Sequence, residues 1–350
     1  MGKNIVGLDI TARSIRAVEV ADADKARPVV VRFAEVPTPD ESVSRGEVLE
    51  PNTVAGAIKQ LWSFGKFRSR DVVLGMGNQR VLSRDLTVPR APLAQVRESL
   101  PFQVQDMLPV PVGDAILDFY PTSEGVQDGA PVLHGLLVAA VKDAVLNNVK
   151  AVQLAGLNPA GVDLIPFALS RVLGTRSAGA GTISVVDLGA ETTSVVILSD
   201  GIPQFVRIIP TGGNDVTKAL SSKLEISVDE AEMVKQHLGL GAAAQTPDDH
   251  RAAAAVRESV EELYTSLRNT VNYFVNTHPD RPVREIVLAG GGAHLSGLAT
   301  GLANAVRVPV SIASAFDGVS RTKSISAADI ANRGSSITVA YGLAVGRRAA

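Results

Sequence analysis

The sequence contains one strand–turn–strand pattern twice, and this duplication constrains the fold more than any other feature. Residues 183–198 align without a gap on residues 5–20, at an offset of 178 positions. In each copy, two apolar runs of strand length flank a short polar turn that contains an aspartate, small residues and a hydroxyl group. Asp9 aligns with Asp187. The pattern predicts two β-hairpins in two related halves of an α/β protein.

The composition of each turn suits a phosphate group. Small residues let backbone N–H groups approach anionic oxygens, and hydroxyl groups add further donors. The carboxylates of Asp9 and Asp187, at the strand ends, would instead hold a Mg2+ ion or its waters. A single hairpin of this kind is more often an ordinary turn with a solvated aspartate. Its duplication favours two hairpins that clamp a triphosphate between two related halves.

Composition bounds the class of protein. A chain of 350 residues exceeds the usual limit of one hydrophobic core, so two related halves are expected. The net charge is −2, which gives no basic footprint for nucleic acid. Cysteine is absent, which excludes disulfides and thiolate metal sites, and the five histidines show no metal-ligand spacing. No apolar run reaches the roughly 18 residues of a membrane span. We therefore expect a cytoplasmic protein.

A change of character near residue 80 indicates an insertion into the first half. The order strand, strand, strand, helix, strand ends there, and a small α+β segment of three strands and one helix is predicted over residues 80–142. Within it, we expect Pro101 to kink or split the helix. We expect residues 124–130 to form a loop, and the small-residue connector 175–181 to separate the halves.

Two further motifs follow the second hairpin. Gly212 and Gly213 stand at a strand-to-helix turn, where free N–H groups and the helix dipole favour an anion. Ser227 caps the next helix, on which Glu232 and Lys235 are spaced i,i+3 and share one face. From spacing alone, the alternative is a solvated surface pair.

A glycine triplet follows a later buried strand. Gly290, Gly291 and Gly292, with Ser296 beyond them, would let the backbone lie flat against a ligand face such as a purine ring. Close packing between helix and strand explains such a triplet equally well. Before this strand, residues 245–251 are polar and are predicted to form a loop. After the triplet, an apolar helix rich in small residues is predicted over residues 336–346.

These motifs occur in the order found in the actin-like ATPase superfamily. Within it, the chain resembles the PilM family of type IV pilus assembly proteins essentially end to end, with the cell-division protein FtsA as the next relative. Four stretches carry the resemblance most clearly: PVPVGDAILDFY, VRIIPTGGNDVTKAL, ISVDEAEMVKQ and residues 135–173. The resemblance implies an actin-like ATPase fold, which consists of duplicated ribonuclease-H-like domains, with an inserted α+β subdomain called 1C or SHS2.

The resemblance also implies a division into subdomains. Residues 1–79 and 143–176 would form subdomain 1A, and residues 80–142 would form the inserted protein-docking subdomain. Residues 177–350 would form the second actin-like half, 2A, with 2B at about 225–280.

By the same resemblance, the cofactors are ATP and Mg2+, with Asp9 and Asp187 near the metal, partly through water. The residues implied to contact the nucleotide or metal are Asp9, Thr11, Ala12, Arg13, Asp187, Gly189, Glu191, Thr192, Gly212, Gly213, Asn214, Glu232, Lys235, Gly291, Gly292 and Ser296. The first loop lacks the glycine of the family's Asp-x-Gly pattern, and Arg13 could supply a charge to phosphate. The second loop has Ala190 and Glu191 where many relatives have glycines. No residue stands out as a catalytic base, so we expect ATP hydrolysis to be slow or absent.

The implied function is that of an ATP-binding scaffold of the type IV pilus machine. In that family the insertion docks the amino-terminal cytoplasmic tail of the inner-membrane protein PilN, and an extended peptide in a groove is physically sensible here. Other pilus components, an assembly ATPase or a platform protein, are further expected partners. Self-association is left open, and no nucleic acid is expected. The protein would lie in the cytoplasm and reach the inner membrane only through its partners.

Two alternatives share the same fold. An FtsA-like division protein would carry an amphipathic membrane helix after the last core helix, and we expect none here because the sequence stops shortly after Gly346. A sugar or acetate kinase would need a catalytic acid at a substrate pocket, whereas the insertion is suited to binding a protein.

Overall fold

The computed structural model describes residues 4–25, 27–174, 181–240, 246–313, 319–322, 325–326 and 334–346. The strands are β1 (Ile5–Ile10), β2 (Ser14–Ala21), β3 (Val29–Pro37), β4 (Val43–Ser44), β5 (Glu47–Val48), β6 (Asp71–Met76), β7 (Val81–Pro89), β8 (Ala115–Gln127), β9 (Ala130–Val141), β10 (Asn158–Leu164), β11 (Thr182–Leu188), β12 (Thr193–Ser199), β13 (Ile202–Ile209), β14 (Val283–Ala289), β15 (Val310–Ile312) and β16 (Ser320–Arg321). The helices are α1 (Pro51–Gly65), α2 (Leu93–Gln103), α3 (Lys142–Leu154), α4 (Ile165–Leu173), α5 (Gly213–Leu224), α6 (Val228–Leu238), α7 (Pro247–Thr277), α8 (Leu298–Val306) and α9 (Thr338–Ala344). Apart from Gly181, the connector expected to separate the halves lies outside the described residues.

Two sheets repeat the same topology. In the first half the order is β10-β6-β1-β2-β3-β16, and in the second half it is β13-β12-β11-β14-β15. In both, three antiparallel strands are followed by two parallel ones next to the first strand of the hairpin. The register repeats as well, because Asp9 pairs with Arg16 and Asp187 pairs with Ser194. The predicted duplication is confirmed at the level of strand order and register.

The insertion is a three-stranded antiparallel sheet, ordered β7-β9-β8, with α2 on one face. The predicted loop at residues 124–130 is wrong, because β8 and β9 extend through most of it and meet at a two-residue turn. That turn is formed by Asp128 and Gly129, both with positive φ (51° and 78°). Two positive-φ residues are what a tight hairpin requires, because they match the twist of the flanking strands.

Two other local predictions concern helix positions. Helix α2 is not split at Pro101 and ends at Gln103. A proline this close to a C-terminus removes one hydrogen bond and leaves the preceding turns intact. The polar segment 245–251 is not a loop in its described part, because α7 begins at Pro247. Its first turn is capped by Thr246, whose hydroxyl accepts from the Asp249 N–H while Asp249 accepts from the Thr246 N–H.

Strand β9 joins the insertion to the rest of the molecule through its two faces. Leu133 and Leu137 pack under α2 with Phe119. The alternate residues Leu136, Val138 and Ala140 enter a core that contains residues of both halves, including those of α4, β11, β12 and β13. Successive residues of a strand point to opposite faces, so β9 is buried on both sides. The insertion is therefore packed against the two halves and not suspended from them.

Helix packing follows the predicted distribution of small and apolar residues. Helix α9 crosses β1 at Gly7, where an added Cβ would lie 1.9 Å from the Ala340 carbonyl oxygen. The apolar stripe predicted on α7 is buried along its length, at Val256, Val260, Leu263, Leu267, Val271 and Phe274. In the described part of the chain, no helix combines the length and apolarity that a membrane crossing requires.

Candidate functional site

The carboxylates of Asp9 and Asp187 lie at corresponding strand ends and interact with each other. Burial raises the pKa of Asp9 to about 6, although Arg16, whose Nη1 is 3.7 Å from Asp9 Oδ2, acts in the opposite direction. Burial also raises the pKa of Asp187 to about 7, and the negative charge of Asp9 raises it further. An effect of one charge on the other requires that the two carboxylates lie near each other.

The pair has capacity for a further ligand. Asp9 is 3% exposed, and its Oδ1 has no hydrogen-bond partner within the described part of the protein. Such an atom is expensive to bury unless a proton or a cation complements it. Among residues the structure describes, no group of three or more His, Cys, Asp or Glu side chains is arranged to hold a metal. The two carboxylates can thus supply one or two ligands to a cation that keeps most of its waters.

The first turn satisfies much of its own hydrogen bonding. The Thr11 N–H donates to the Ser14 carbonyl at 3.1 Å, and the Thr11 hydroxyl accepts from the N–H groups of Arg13 and Ser14. The hydroxyl of Thr38 on the next segment donates to the Thr11 carbonyl. Ala12 is partly exposed and Arg13 is exposed at the turn. This turn is therefore braced by the side chain and backbone of Thr11.

The second turn is closed by its own backbone and by the start of α5. The Gly189 N–H donates to the Thr192 carbonyl at 3.0 Å. The N–H groups of Gly213 and Asn214 donate to the carbonyls of Gly189 and Ala190 at 3.0 and 2.7 Å. The prediction that N–H groups at this helix start are free is therefore wrong for Gly213 and Asn214, because carbonyl groups of the neighbouring turn accept from both.

The glycine at position 212 has a steric reason. A Cβ on Gly212 would lie 2.5 Å from the Ala190 carbonyl oxygen and 2.7 Å from the Glu191 nitrogen. Only glycine allows the two backbones to approach this closely. Gly212 thus lets the start of α5 pack directly against the second turn.

Glu191 and Arg45 form a polar connection between the halves. Partial burial opposes ionisation of Glu191, but the Arg45 N–H at 2.8 Å, Lys218 and the Asn214 side chain outweigh it and lower its pKa. The Arg45 guanidinium also donates to the Pro210 carbonyl and lies 4.0 Å from Asp215 Oδ1. Arg45 belongs to the first half and its partners belong to the second, so the tip of the β4–β5 hairpin bridges the cleft.

Sequence reasoning did not find Arg45. The signal was the pair Arg45-Gly46, flanked by Val43-Ser44 and Glu47-Val48, which is the pattern of a two-residue hairpin turn. Both residues have positive φ, 46° and 78°. Arg16 was also missed, although its position opposite Asp9 follows directly from the predicted hairpin.

Glu232 and Lys235 form a buried network, so the alternative of a solvated surface pair is wrong. The capping box of Ser227 and Glu230 starts α6 as predicted, and both functional residues follow within the next two turns. Lys235 is 8% exposed, and its Nζ donates to Glu232 Oε2 at 2.6 Å, to the Thr217 hydroxyl and to the Gly213 carbonyl.

The electrostatics of Glu232 follow from this network. Partial burial would raise its pKa, but hydrogen bonds from Lys235, Thr217 and Gln236 lower it to about 2. On the cleft side, Arg13 Nη1 lies 3.1 Å from Glu232 Oε1. The Arg13 side chain is 53% exposed and that of Glu232 is 16% exposed. A residue of the first turn is thus joined across the cleft to the acidic residue of α6.

The glycine triplet combines close packing with open space. A Cβ on Gly290, whose φ is 82°, would lie 2.8 Å from Asp187 Oδ1, and one on Gly292 would lie 3.0 Å from Leu188 Cβ. A Cβ on Gly291 would meet no heavy atom within 4 Å. Ser296 is exposed, and its carbonyl accepts from the Leu240 N–H beyond the end of α6. The triplet therefore packs against β11 and leaves one glycine facing open space beside Asp187.

Comparison with known proteins gives consistent matches. The family of the type IV pilus assembly protein PilM matches residues 7–348. A solved PilM–PilN type IV pilus biogenesis complex contains a chain that superimposes with a TM-score of 0.87 and 30% sequence identity, over 98% of each chain. MreB5 of Spiroplasma citri bound to AMPPNP superimposes with a TM-score of 0.53 and 13% identity, over 99% of this chain and 96% of that one. This last likeness concerns the fold alone.

A more distant relationship is visible by sequence. The cell division protein FtsA of Bacillus subtilis is 23% identical over 226 residues, which is 57% of this chain and 51% of that protein. The chain thus spans about half the length of this curated relative. The predicted actin-like architecture, with its inserted subdomain, is confirmed by the whole-length match to PilM.

Proposed function

The chain belongs to the PilM family of type IV pilus assembly proteins, and from this premise we propose that it is an ATP-binding scaffold of the pilus assembly machine that docks the amino-terminal cytoplasmic tail of PilN. The observation that carries the proposal is the likeness, over 98% of both chains, to the PilM of a PilM–PilN complex. The FtsA alignment covers about half of that protein and gives no comparable support for a division function.

A nucleotide between the halves is supported by the geometry of the two turns. The charge of Asp9 acts on Asp187, Arg13 of the first turn pairs with Glu232 of the Glu232–Lys235 network, and Gly290 of the triplet lies beside Asp187, which supports one shared site. MreB5, which shares the fold, was solved with AMPPNP bound. In this proposal Glu232 and Lys235 contact the ribose and phosphates, and Gly291, Gly292 and Ser296 border the adenine. The two turns with Gly212, Gly213 and Asn214 lie around the phosphates through close backbone approach, since the N–H groups of these three residues donate within the protein.

Mg2+ fits the donor set at the two aspartates. Mg2+ binds proteins through one or two carboxylates, with the remaining positions taken by waters and substrate phosphates. Asp9 and Asp187 would hold the ion or its waters and so lower the repulsion between phosphate and carboxylate. Hydrolysis in this proposal is slow or absent.

Docking is assigned to the insertion. We retain the subdomain division 1–79 with 143–176, 80–142 and 177–350, whose boundary near 176 lies outside the described residues. The free edge of β8 and a groove beside it, lined in part by Pro92, Leu93 and Pro121, offer an extended surface to a peptide. The protein would remain in the cytoplasm and be held at the inner membrane by PilN, with other pilus components as further partners.

The test is a calorimetric titration of the full-length protein with the amino-terminal tail peptide of the PilN protein encoded for the same pilus. A peptide of scrambled sequence and equal charge is the control. We expect saturable binding of the native peptide alone, with an affinity that changes when ATP-Mg2+ is present. Equal binding of both peptides would refute the docking role.

A second arm tests the nucleotide site. Asp187→Asn should weaken the binding of ATP-Mg2+ and leave the binding of ATP in EDTA little changed, since the carboxylate acts through the metal. An Asp187→Asn variant that binds ATP-Mg2+ as tightly as the parent would refute the metal role while leaving peptide docking intact.

A further inference from the structure

We propose that Arg13 is a switch residue of the nucleotide site: it joins Glu232 across the cleft in the free protein, and nucleotide binding transfers its guanidinium to the phosphate chain. The inference rests on the proposed nucleotide function. Beyond that function, it gives Arg13 two roles. Arg13 competes with the ribose for Glu232, and it supplies phosphate contacts that the first turn, which has no glycine, does not supply.

The first step concerns the capacity of Glu232 to accept hydrogen bonds. A carboxylate has about four acceptor positions. Oε2 accepts from Lys235 and Thr217, and Oε1 accepts from Gln236 at 2.8 Å. The Arg13 guanidinium forms an ion pair with Oε1 at 3.1 Å and occupies the remaining approach to it. A ribose hydroxyl that donates to this carboxylate must therefore displace one of these four groups.

The second step identifies which donor leaves. Thr217, Lys235 and Gln236 belong to α5 and α6, in the same half as Glu232. Arg13 comes from the opposite half, and its side chain is 53% exposed. Ion pairs of exposed side chains contribute little, because water competes for both partners. Arg13 is thus the donor that a ribose displaces most easily.

The third step concerns where the released guanidinium goes. In the first turn, the N–H groups of Thr11, Arg13 and Ser14 all donate within the turn. These three backbone groups cannot also cradle a phosphate. A guanidinium carries five N–H donors in a planar fork that matches phosphate oxygens. Arg13 therefore supplies, from its side chain, the donors that a glycine turn would supply from its backbone.

Arg45 provides the contrast within the same cleft. It also crosses between the halves, but its guanidinium donates to the Pro210 carbonyl, and Glu191 accepts from its backbone N–H. Neither contact involves a group assigned to the ribose. Arg45 should therefore hold the halves together in both states, whereas Arg13 changes partner.

The test compares two ligands that differ in the phosphate chain. Adenosine has the ribose and no phosphate, so Arg13→Gln should bind it about two- to fivefold more tightly than the parent, because the competing ion pair is gone. ATP-Mg2+ gains phosphate contacts from Arg13, so the same variant should bind it about tenfold more weakly. Both affinities are measured by calorimetry, and thermal unfolding verifies that the variant is folded.

Two control variants isolate the effect. Arg97→Gln removes an exposed arginine of the insertion, which pairs with Asp118, and should leave both affinities unchanged. Arg45→Gln removes a second arginine that crosses the cleft and should move both affinities in one direction. The switch is supported if Arg13→Gln raises the affinity for adenosine and lowers the affinity for ATP-Mg2+, and if Arg45→Gln does not. It is overturned if Arg13→Gln moves both affinities in the same direction or changes neither. It is also overturned if Arg45→Gln moves the two affinities in opposite directions as well. If the parent binds neither adenosine nor ATP, the proposed nucleotide function itself fails.

Discussion

Replacing Asp9 by asparagine should stabilise the protein at pH 8 when metal and nucleotide are absent. Burial raises the pKa of Asp9 from 3.8 to about 6. The folded state therefore binds the proton more tightly than the unfolded state, and stability falls as the pH rises between these two values. At 1.36 kcal/mol per pKa unit, the ionised carboxylate lowers the free energy of unfolding by about 3 kcal/mol above pH 6.

Asparagine removes the charge and keeps the shape. Part of the gain is lost, because the amide N–H groups need partners and Arg16 loses one of its two acidic neighbours. We expect a net stabilisation of about 1–3 kcal/mol at pH 8, or a rise of about 2–4 °C in the unfolding temperature. The difference should fall to about half at pH 5 and to about a fifth at pH 4, and it should vanish near pH 3, where the parent carboxyl is protonated in both states.

Scanning calorimetry at pH 8, 5 and 4, in EDTA, measures this directly. Asp118→Asn serves as the matched control, because Asp118 is an exposed carboxylate paired with Arg97. Its replacement should change stability by no more than about 0.5 kcal/mol. If Asp9→Asn is less stable than the parent at pH 8, the protein itself stabilises the ionised Asp9 carboxylate. The claim that this carboxylate needs a bound cation then fails.

Two further predictions concern packing and the α6 network. Lys235→Met should lower the free energy of unfolding by about 1–3 kcal/mol, because Glu232 stays partly buried without its closest cation. The control Lys223→Met breaks an exposed pair with Glu258 and should lower it by at most about 1 kcal/mol. Equal losses for the two variants in thermal unfolding would contradict a stabilising role of the α6 network. Gly7→Ala should destabilise by more than about 3 kcal/mol because its Cβ would overlap the α9 backbone. By contrast, Gly56→Ala in α1, where a Cβ would meet nothing within 4 Å, should be neutral or stabilise by up to about 1 kcal/mol; comparable losses in both would refute the packing argument.

The strand framework was predictable because it depends on local patterns. Apolar runs fix the strands of the two duplicated hairpins, and the turn length fixes the register, so the correspondence of Asp9 with Asp187 follows from the sequence alone. The wrong prediction at the start of α5 has a different cause. Whether Gly213 and Asn214 have free N–H groups depends on carbonyls of another turn, and no local pattern reveals such partners.

Arg45 illustrates the same limit for a site residue. Its partner Glu191 is 146 positions away in the chain. The segment around Arg45 is polar and short, and polarity without periodicity predicts a loop. Its role depends on how the two halves face each other, which is a property of the assembled fold. The hairpin could have been predicted from the Arg45-Gly46 turn, but not the groups it reaches.

The packing of β9 gives a physical basis for coupling between the cleft and the insertion. One face of β9 supports α2 of the insertion, and the other lies in the core shared by both halves. Close-packed interiors transmit displacement because neighbouring side chains have little free space. A change in the angle between the halves must then alter the support of the insertion. Binding equilibria linked in this way are reciprocal, so any factor by which ATP-Mg2+ alters the affinity for the peptide must equal the factor by which the peptide alters the affinity for ATP-Mg2+.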